Sequence, residues 1–239
     1  MMYKKNRQII LVIITILTTL ISVFFQNLYS GTKFFAASTN INGNKLILID
    51  PGHGGVDGGA VSQNGTIEKY LNLNISLKVR ERLEKLGYQV LMTREEDKGL
   101  YTKDSDINKM KIEDLNNRCK MKRESNCDLF ISIHQNFFIQ SNCYGPQIWY
   151  SKNEESCKLA LIIQENLNKD LNFNKRKVKE ANDAYKVLRC YTNIPSVIIE
   201  CGFITNPDEE NKLKNEVYQG KLADSIAKSI NEYLEIRGR

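Results

Sequence analysis

The stretch KLILIDPGHGGVDGGA, Lys45–Ala60, decides the fold class. Its first part, KLILID, is a continuous apolar run stopped by Pro51 and Gly52. A run without polar alternation suits a strand covered on both faces, as in a parallel sheet between helices. Gly52, Gly54, Gly55, Gly58 and Gly59 then surround His53. Such a loop lets backbone approach a ligand closely. Open α/β sheets bind their ligands beyond the carboxyl ends of the strands, which is where this loop would lie.

Outward from that stretch, Leu71, Ile75, Val79, Leu83 and Leu86 recur every three or four residues and predict an amphipathic helix over Glu68–Leu86, ended by Gly87. YQVLMTR, Tyr88–Arg94, reads as a second strand. Glu96–Lys111 is charged and weakly patterned and is taken as a loop or insertion, followed by a helix over Leu115–Glu124. Further strands are expected at DLFISI (Asp128–Ile133), GPQIWY (Gly145–Tyr150) and PSVIIE (Pro195–Glu200). Helices are expected over Cys157–Leu167 and along Val217, Leu222, Ile226, Ile230 and Leu234. Strands alternating with helices predict an α/β fold: one domain, residues 45–239, with a mostly parallel twisted sheet flanked by helices.

The chain starts differently. Lys4, Lys5 and Arg7 precede an uncharged apolar run, Ile9–Phe25. A basic flank ahead of an apolar segment marks export, and this run is just long enough to span a bilayer. No good small-residue cleavage site follows, so residues 1–30 read as a signal segment retained as a membrane anchor. Residues 31–44, with the polar STNINGN at their end, read as a linker. The basic flank stays inside, which places the remainder outside the membrane, anchored or secreted.

Apolar residues are 41% and charged residues 26%, a balance that permits a folded core. Half of the formal net charge of +6 sits in the N-terminal cluster, and no basic stripe interleaved with aromatics follows. Nucleic acid is therefore not an expected partner. Six cysteines, 119, 127, 143, 157, 190 and 201, allow up to three disulfides in an exported chain, and none forms a CxxC pair. Phosphate-loop, dinucleotide-loop and HExxH patterns are absent.

Three metal-capable or acid–base groups stand at predicted strand ends: His53, His134 in SIHQN, and Glu200 in VIIE. Glu68 opens the first helix, where a carboxylate is also favoured by the helix dipole alone. The chain has only these two histidines, and both fall where the crevice should be. Two histidines and one carboxylate are a hydrolytic zinc set with room for water. A further group must then carry a proton from water to the leaving nitrogen, and Glu200 is the natural candidate. The plainer alternative for Glu200 is a strand-end ion pair.

Taken in order, DPGHGGVDGGA, the glutamate before KYLNLNIS, LMTR, DLFISIHQN, YGPQIWY and IIECGFITNPDEE resemble the successive blocks of the zinc-dependent N-acetylmuramoyl-L-alanine amidases of the amidase-3 type. The resemblance runs from about Lys45 to Tyr233. It implies one zinc ion on His53, Glu68 and His134, with Glu200 as the catalytic glutamate. It implies cleavage of the amide between N-acetylmuramic acid and L-alanine in peptidoglycan. Asp57, Asn136 and Arg189 fall within the same blocks and read as supporting or substrate-contacting residues.

The short chain with a single anchor is similar to the germination-specific, CwlD-like subgroup. That subgroup acts on spore cortex on the way to muramic-δ-lactam, and its relatives admit a lipoprotein activator. The Asp97–Lys111 stretch departs from the pattern by its length, and Cys127 by standing where alanine is usual. The rival readings are a zinc peptidase of the stem peptide and a non-catalytic, membrane-tethered wall-binding protein.

Overall fold

The computed structural model describes residues 45–103, 106–140, 142–172 and 176–238. The anchor and linker expected at residues 1–44 lie outside the described residues. Among the described residues, no helix is long and apolar enough to cross a membrane.

Six strands form one sheet: β1 (Leu46–Pro51), β2 (Gln89–Met92), β3 (Leu129–Asn136), β4 (Gln147–Tyr150), β5 (Lys179–Glu180) and β6 (Ser196–Phe203), in the order β2-β1-β3-β6-β4-β5. The pairs β1·β2, β1·β3 and β3·β6 are parallel, β4 runs antiparallel to β6, and β5 is parallel to β4. The helices are α1 (Glu68–Lys85), α2 (Ile107–Glu124), α3 (Glu154–Asp170), α4 (Lys186–Arg189), α5 (Pro207–Lys214) and α6 (Glu216–Arg237). This is the expected α/β domain, with a reversed edge at β4 and β5.

Side-chain alternation sorts the central strands into two cores. Ile47, Ile49, Ile131, Ile133, Val197 and Ile199 belong to the larger one, with Ile75 and Val79 of α1, Ile163 and Leu167 of α3, and Ile226 and Ile230 of α6. Leu48, Phe130 and Ile198 face the other way into a smaller cluster with Cys127, Val187 and Leu188. The same even-numbered set continues along the strands as Asp50, Ser132, His134 and Glu200. The alternation that builds the smaller core therefore delivers polar groups to its carboxyl end. Registry brings them level, with Asp50 opposite Ser132 and His134 opposite Glu200.

Several boundaries differ from expectation. Helix α2 begins at Ile107, inside the stretch read as a loop, because the Asp106 side chain accepts from the backbone N–H groups of Asn108 and Lys109. Strands β3 and β6 run on past Ile133 and Glu200, with a register shift between His134 and Asn136. His134 and Glu200 are thus held inside strands rather than in loops. β5, α4 and α5 were not anticipated. Of the cysteines, Cys119 and Cys190 form a disulfide, while Cys127, Cys143, Cys157 and Cys201 are free.

Candidate metal centre and active site

His53, Glu68 and His134 come from three separate elements and converge, with one potential ligand atom of each within 4.8 Å of the others. The His53 and His134 rings meet edge to face at 4.9 Å. His53 Nε2 lies 3.2 Å from Glu68 Oε2, and His134 Nδ1 lies 3.1 Å from Glu68 Oε1.

Each of these side chains is positioned from behind. Glu68 is buried; its Oε1 accepts from the backbone N–H of Gln135 at 3.0 Å and from Asn72 Nδ2 at 3.1 Å, and its Oε2 from Ala60 N–H at 2.8 Å. Burial opposes its ionisation, but His134 and His53 outweigh that and hold the carboxyl well below its ordinary value. His53 has a left-handed backbone (φ 62°), a conformation costing a side-chain-bearing residue roughly 1–2 kcal/mol. Arg118 steadies it by donating Nη2–H to the His53 carbonyl at 2.7 Å. Asp57 Oδ2 sits 2.7 Å from His53 Nδ1, which leaves Nε2 facing the cluster. Burial pulls the His53 imidazole down, yet Asp57 and Glu68 push it up to about 9. Gly52 is required because a Cβ there would enter the His134 ring, and Gly59 (φ 69°) because a Cβ would strike Glu68 and His53.

Beneath this layer lies a buried charge network. Arg118 spans Asp50 (2.5 Å) and Asp114 (2.6 Å) and also donates to the Pro51 carbonyl. Thr93 and Ser132 donate to Asp50 at 2.7 and 2.8 Å. Arg94 donates to the carbonyls of Pro51, Gly52 and Lys69. Two buried guanidinium groups thus fix the successive carbonyls of the Pro51–Gly52–His53 turn, where ordinary sheet partners have run out.

Glu200 faces the same cavity, of about 360 Å³, whose walls include Asp57, Lys111, Tyr185 and Lys186. Glu200 is buried and its Oε2 has no hydrogen-bond partner among the described residues. Burial, and then the charge of Glu68, push it up to about 8 against a smaller opposing effect of His53. A buried carboxyl without a partner is costly, and such groups concentrate where function needs them.

The donors fit a metal. Two imidazoles and a carboxylate would supply three ligand atoms, and all three residues line the cavity together with Glu200. All four residues singled out in the sequence are therefore brought together. Asp57 supports His53, as its block position suggested. The other two supporting residues are placed elsewhere. Arg189 is exposed, donates to the Asp183 carbonyl and does not line the cavity. Asn136 does not line the cavity, and its carbonyl accepts from Ile204 N–H. Asp50, Lys111, Asp114, Arg118, Tyr185 and Lys186 were missed. Only the Asp114–Arg118 spacing of four along a helix was a readable signal.

Comparison with known proteins fits this geometry. The chain is 38% identical to the germination-specific N-acetylmuramoyl-L-alanine amidase of Bacillus subtilis, over 81% of each chain. The CwlD amidase from Clostridioides difficile, solved in complex with the GerS lipoprotein, superposes with a TM-score of 0.78 at 42% identity, covering 81% of this chain and 100% of that one. An N-acetylmuramoyl-L-alanine amidase from Clostridium difficile 630 superposes at 0.71 with 33% identity, over 81% and 98% of the two chains. Residues 47–232 match the N-acetylmuramoyl-L-alanine amidase family as a whole, and the chain belongs to that family.

Proposed function

We propose that the chain hydrolyses the amide between N-acetylmuramic acid and L-alanine in peptidoglycan, with one zinc ion held by His53, Glu68 and His134 and with Glu200 as proton carrier. The observation that carries this reading is the buried Glu200 carboxyl, one oxygen unpartnered, level with His134 on the adjacent strand and facing the same cavity. Zinc in such a donor set polarises a carbonyl and lowers the pKa of water toward neutrality. Glu200 takes the proton from water as it attacks the lactyl carbonyl carbon, then gives it to the L-alanine nitrogen as the C–N bond breaks. Burial and the charge of Glu68 push Glu200 up to about 8, and a cation bound beside it would oppose that shift, which suits a group that must both accept and return a proton. Asp57 keeps His53 in one tautomer through Nδ1.

The biological setting is read from relatives. Similarity to a germination-specific amidase supports action on spore cortex, upstream of muramic-δ-lactam. The relative solved with a lipoprotein supports a lipoprotein activator for this chain. Residues 1–30 would hold the enzyme on the outer face of the cytoplasmic membrane, between the spore membranes when cortex is made.

The test is incubation of the full chain and zinc with purified peptidoglycan, followed by mass spectrometry of what is released. Intact stem peptides beginning at L-alanine are expected. Cuts within the stem would make the chain a peptidase, and binding without release would make it a wall-binding protein; either result refutes the proposal.

A further inference from the structure

We propose that Lys186, with Tyr185 beside it, forms a specificity subsite for a carboxylate on the peptide side of the scissile amide. The inference rests on the amidase reading for its substrate and on the cavity itself for its chemistry.

Three basic side chains line the cavity: Lys111, Arg118 and Lys186. Arg118 is neutralised by Asp50 and Asp114, and Lys111 Nζ lies 2.8 Å from Asp57 Oδ1. Lys186 has no carboxylate partner among the described residues; its ammonium group donates to the neutral amide oxygen of Asn116. It is thus a cavity-lining cation whose charge is left for a ligand. Tyr185 precedes it on the same wall. Its ring leans on Trp149 at 5.4 Å. The phenol is pushed up to about 12 by burial and by the Glu200 and Glu68 carboxylates, so it keeps its proton and can donate to a ligand.

The wall carrying this pair is pinned. Buried Lys122 donates to the carbonyls of Val187 (3.0 Å) and Cys190 (2.7 Å). Ser151 Oγ donates to the Leu188 carbonyl at 2.6 Å, and the Cys119–Cys190 disulfide ties the end of α4 to α2. Donors on a fixed turn lose little freedom when a ligand arrives.

The substrate's chemistry decides which side they read. In a muramoyl peptide the lactyl carboxyl is consumed in the amide and the N-acetylated sugar is neutral. Anionic groups lie on the peptide, beginning with the α-carboxylate of a γ-linked D-glutamate. A lysine ammonium and a phenol hydroxyl are complementary to that carboxylate.

The test uses the full chain with zinc and two probes capped at the γ-carboxyl, the γ-methylamide of N-acetylmuramoyl-L-alanyl-D-glutamate with a free α-carboxylate and the same compound with an α-carboxamide. Turnover is measured on the native chain, and binding by calorimetry on Glu200→Gln. The acid should be preferred over the amide by about five- to tenfold, expressed in KM rather than kcat. Lys186→Met should abolish the preference and Lys186→Arg restore most of it, while Tyr185→Phe should weaken the acid probe in KM. Equal handling of both probes by the native chain, or an undiminished preference in Lys186→Met, overturns the subsite. The two claims separate cleanly. Preferential binding of the acid without turnover would keep the subsite and refute the amidase; turnover of both without preference would do the reverse.

Discussion

Replacing Glu200 by Gln in the metal-free protein should make the fold more stable, and increasingly so as the pH rises. The wild-type carboxyl is buried beside Glu68, one oxygen lacks a partner, and its pKa is pushed up to about 8 from an ordinary 4.5. Below about pH 4.5 the group is protonated in both folded and unfolded chains and contributes no difference in slope. Between 4.5 and 8 the unfolded chain loses this proton while the folded one keeps it, so stability falls with pH; above 8 the loss levels off. At about 1.4 kcal/mol per pH unit separating the two values, the full penalty is about 3–5 kcal/mol. For a domain of this size that corresponds to a melting difference of about 10 °C. Gln fills the same space and does not ionise. His53, pushed up to about 9, also loses stability as pH rises, but it does so in both proteins. The assay is urea unfolding with a chelator at pH 5, 7 and 9, read from the fluorescence of Trp149, the only tryptophan in the chain. A gap between variant and wild type that fails to widen from pH 5 to pH 9 would refute the argument.

Other expectations follow from the supports of the site. Asp57→Asn removes the carboxylate from His53 Nδ1 and should weaken zinc affinity about 10- to 100-fold, read by competition with a chromogenic chelator. Arg118→Met leaves Asp50 buried without its cation and should cost about 3–5 kcal/mol, seen as a lower urea midpoint; an unchanged midpoint would remove Arg118 from the framework. Reducing Cys119–Cys190, which are 71 residues apart, should cost about 2–4 kcal/mol and lower the melting temperature measurably.

The parts of the fold written in local chemistry were legible. KLILID, DLFISI and PSVIIE announce buried strands because a mostly apolar run fills each interior without regular polar alternation, and both faces of the sheet are indeed covered. Their polar ends pointed to His53, His134 and Glu200, and the strand period puts the latter two on one face. What escaped was non-local or short. Strand β5 has two residues, too few for any pattern to show. The start of α2 is polar around a single cap, Asp106, and offers little apolar periodicity. Arg118 reads as one more surface arginine until the fold carries it to Asp50, 68 positions away. Arg189, by contrast, looked functional from its block alone, yet the turn at Asp183 takes its guanidinium outward. The assignment of Lys186 depends on which other cations are already neutralised, a property of the folded cavity alone.

The most direct measurement of the central claim is zinc content and turnover on the same preparations of wild type, Glu200→Gln and His134→Ala, using purified peptidoglycan. The account predicts one zinc and release of L-alanine-headed stem peptides for wild type, one zinc and no release for Glu200→Gln, and neither for His134→Ala. Full turnover by Glu200→Gln, or undiminished zinc in His134→Ala, would contradict it.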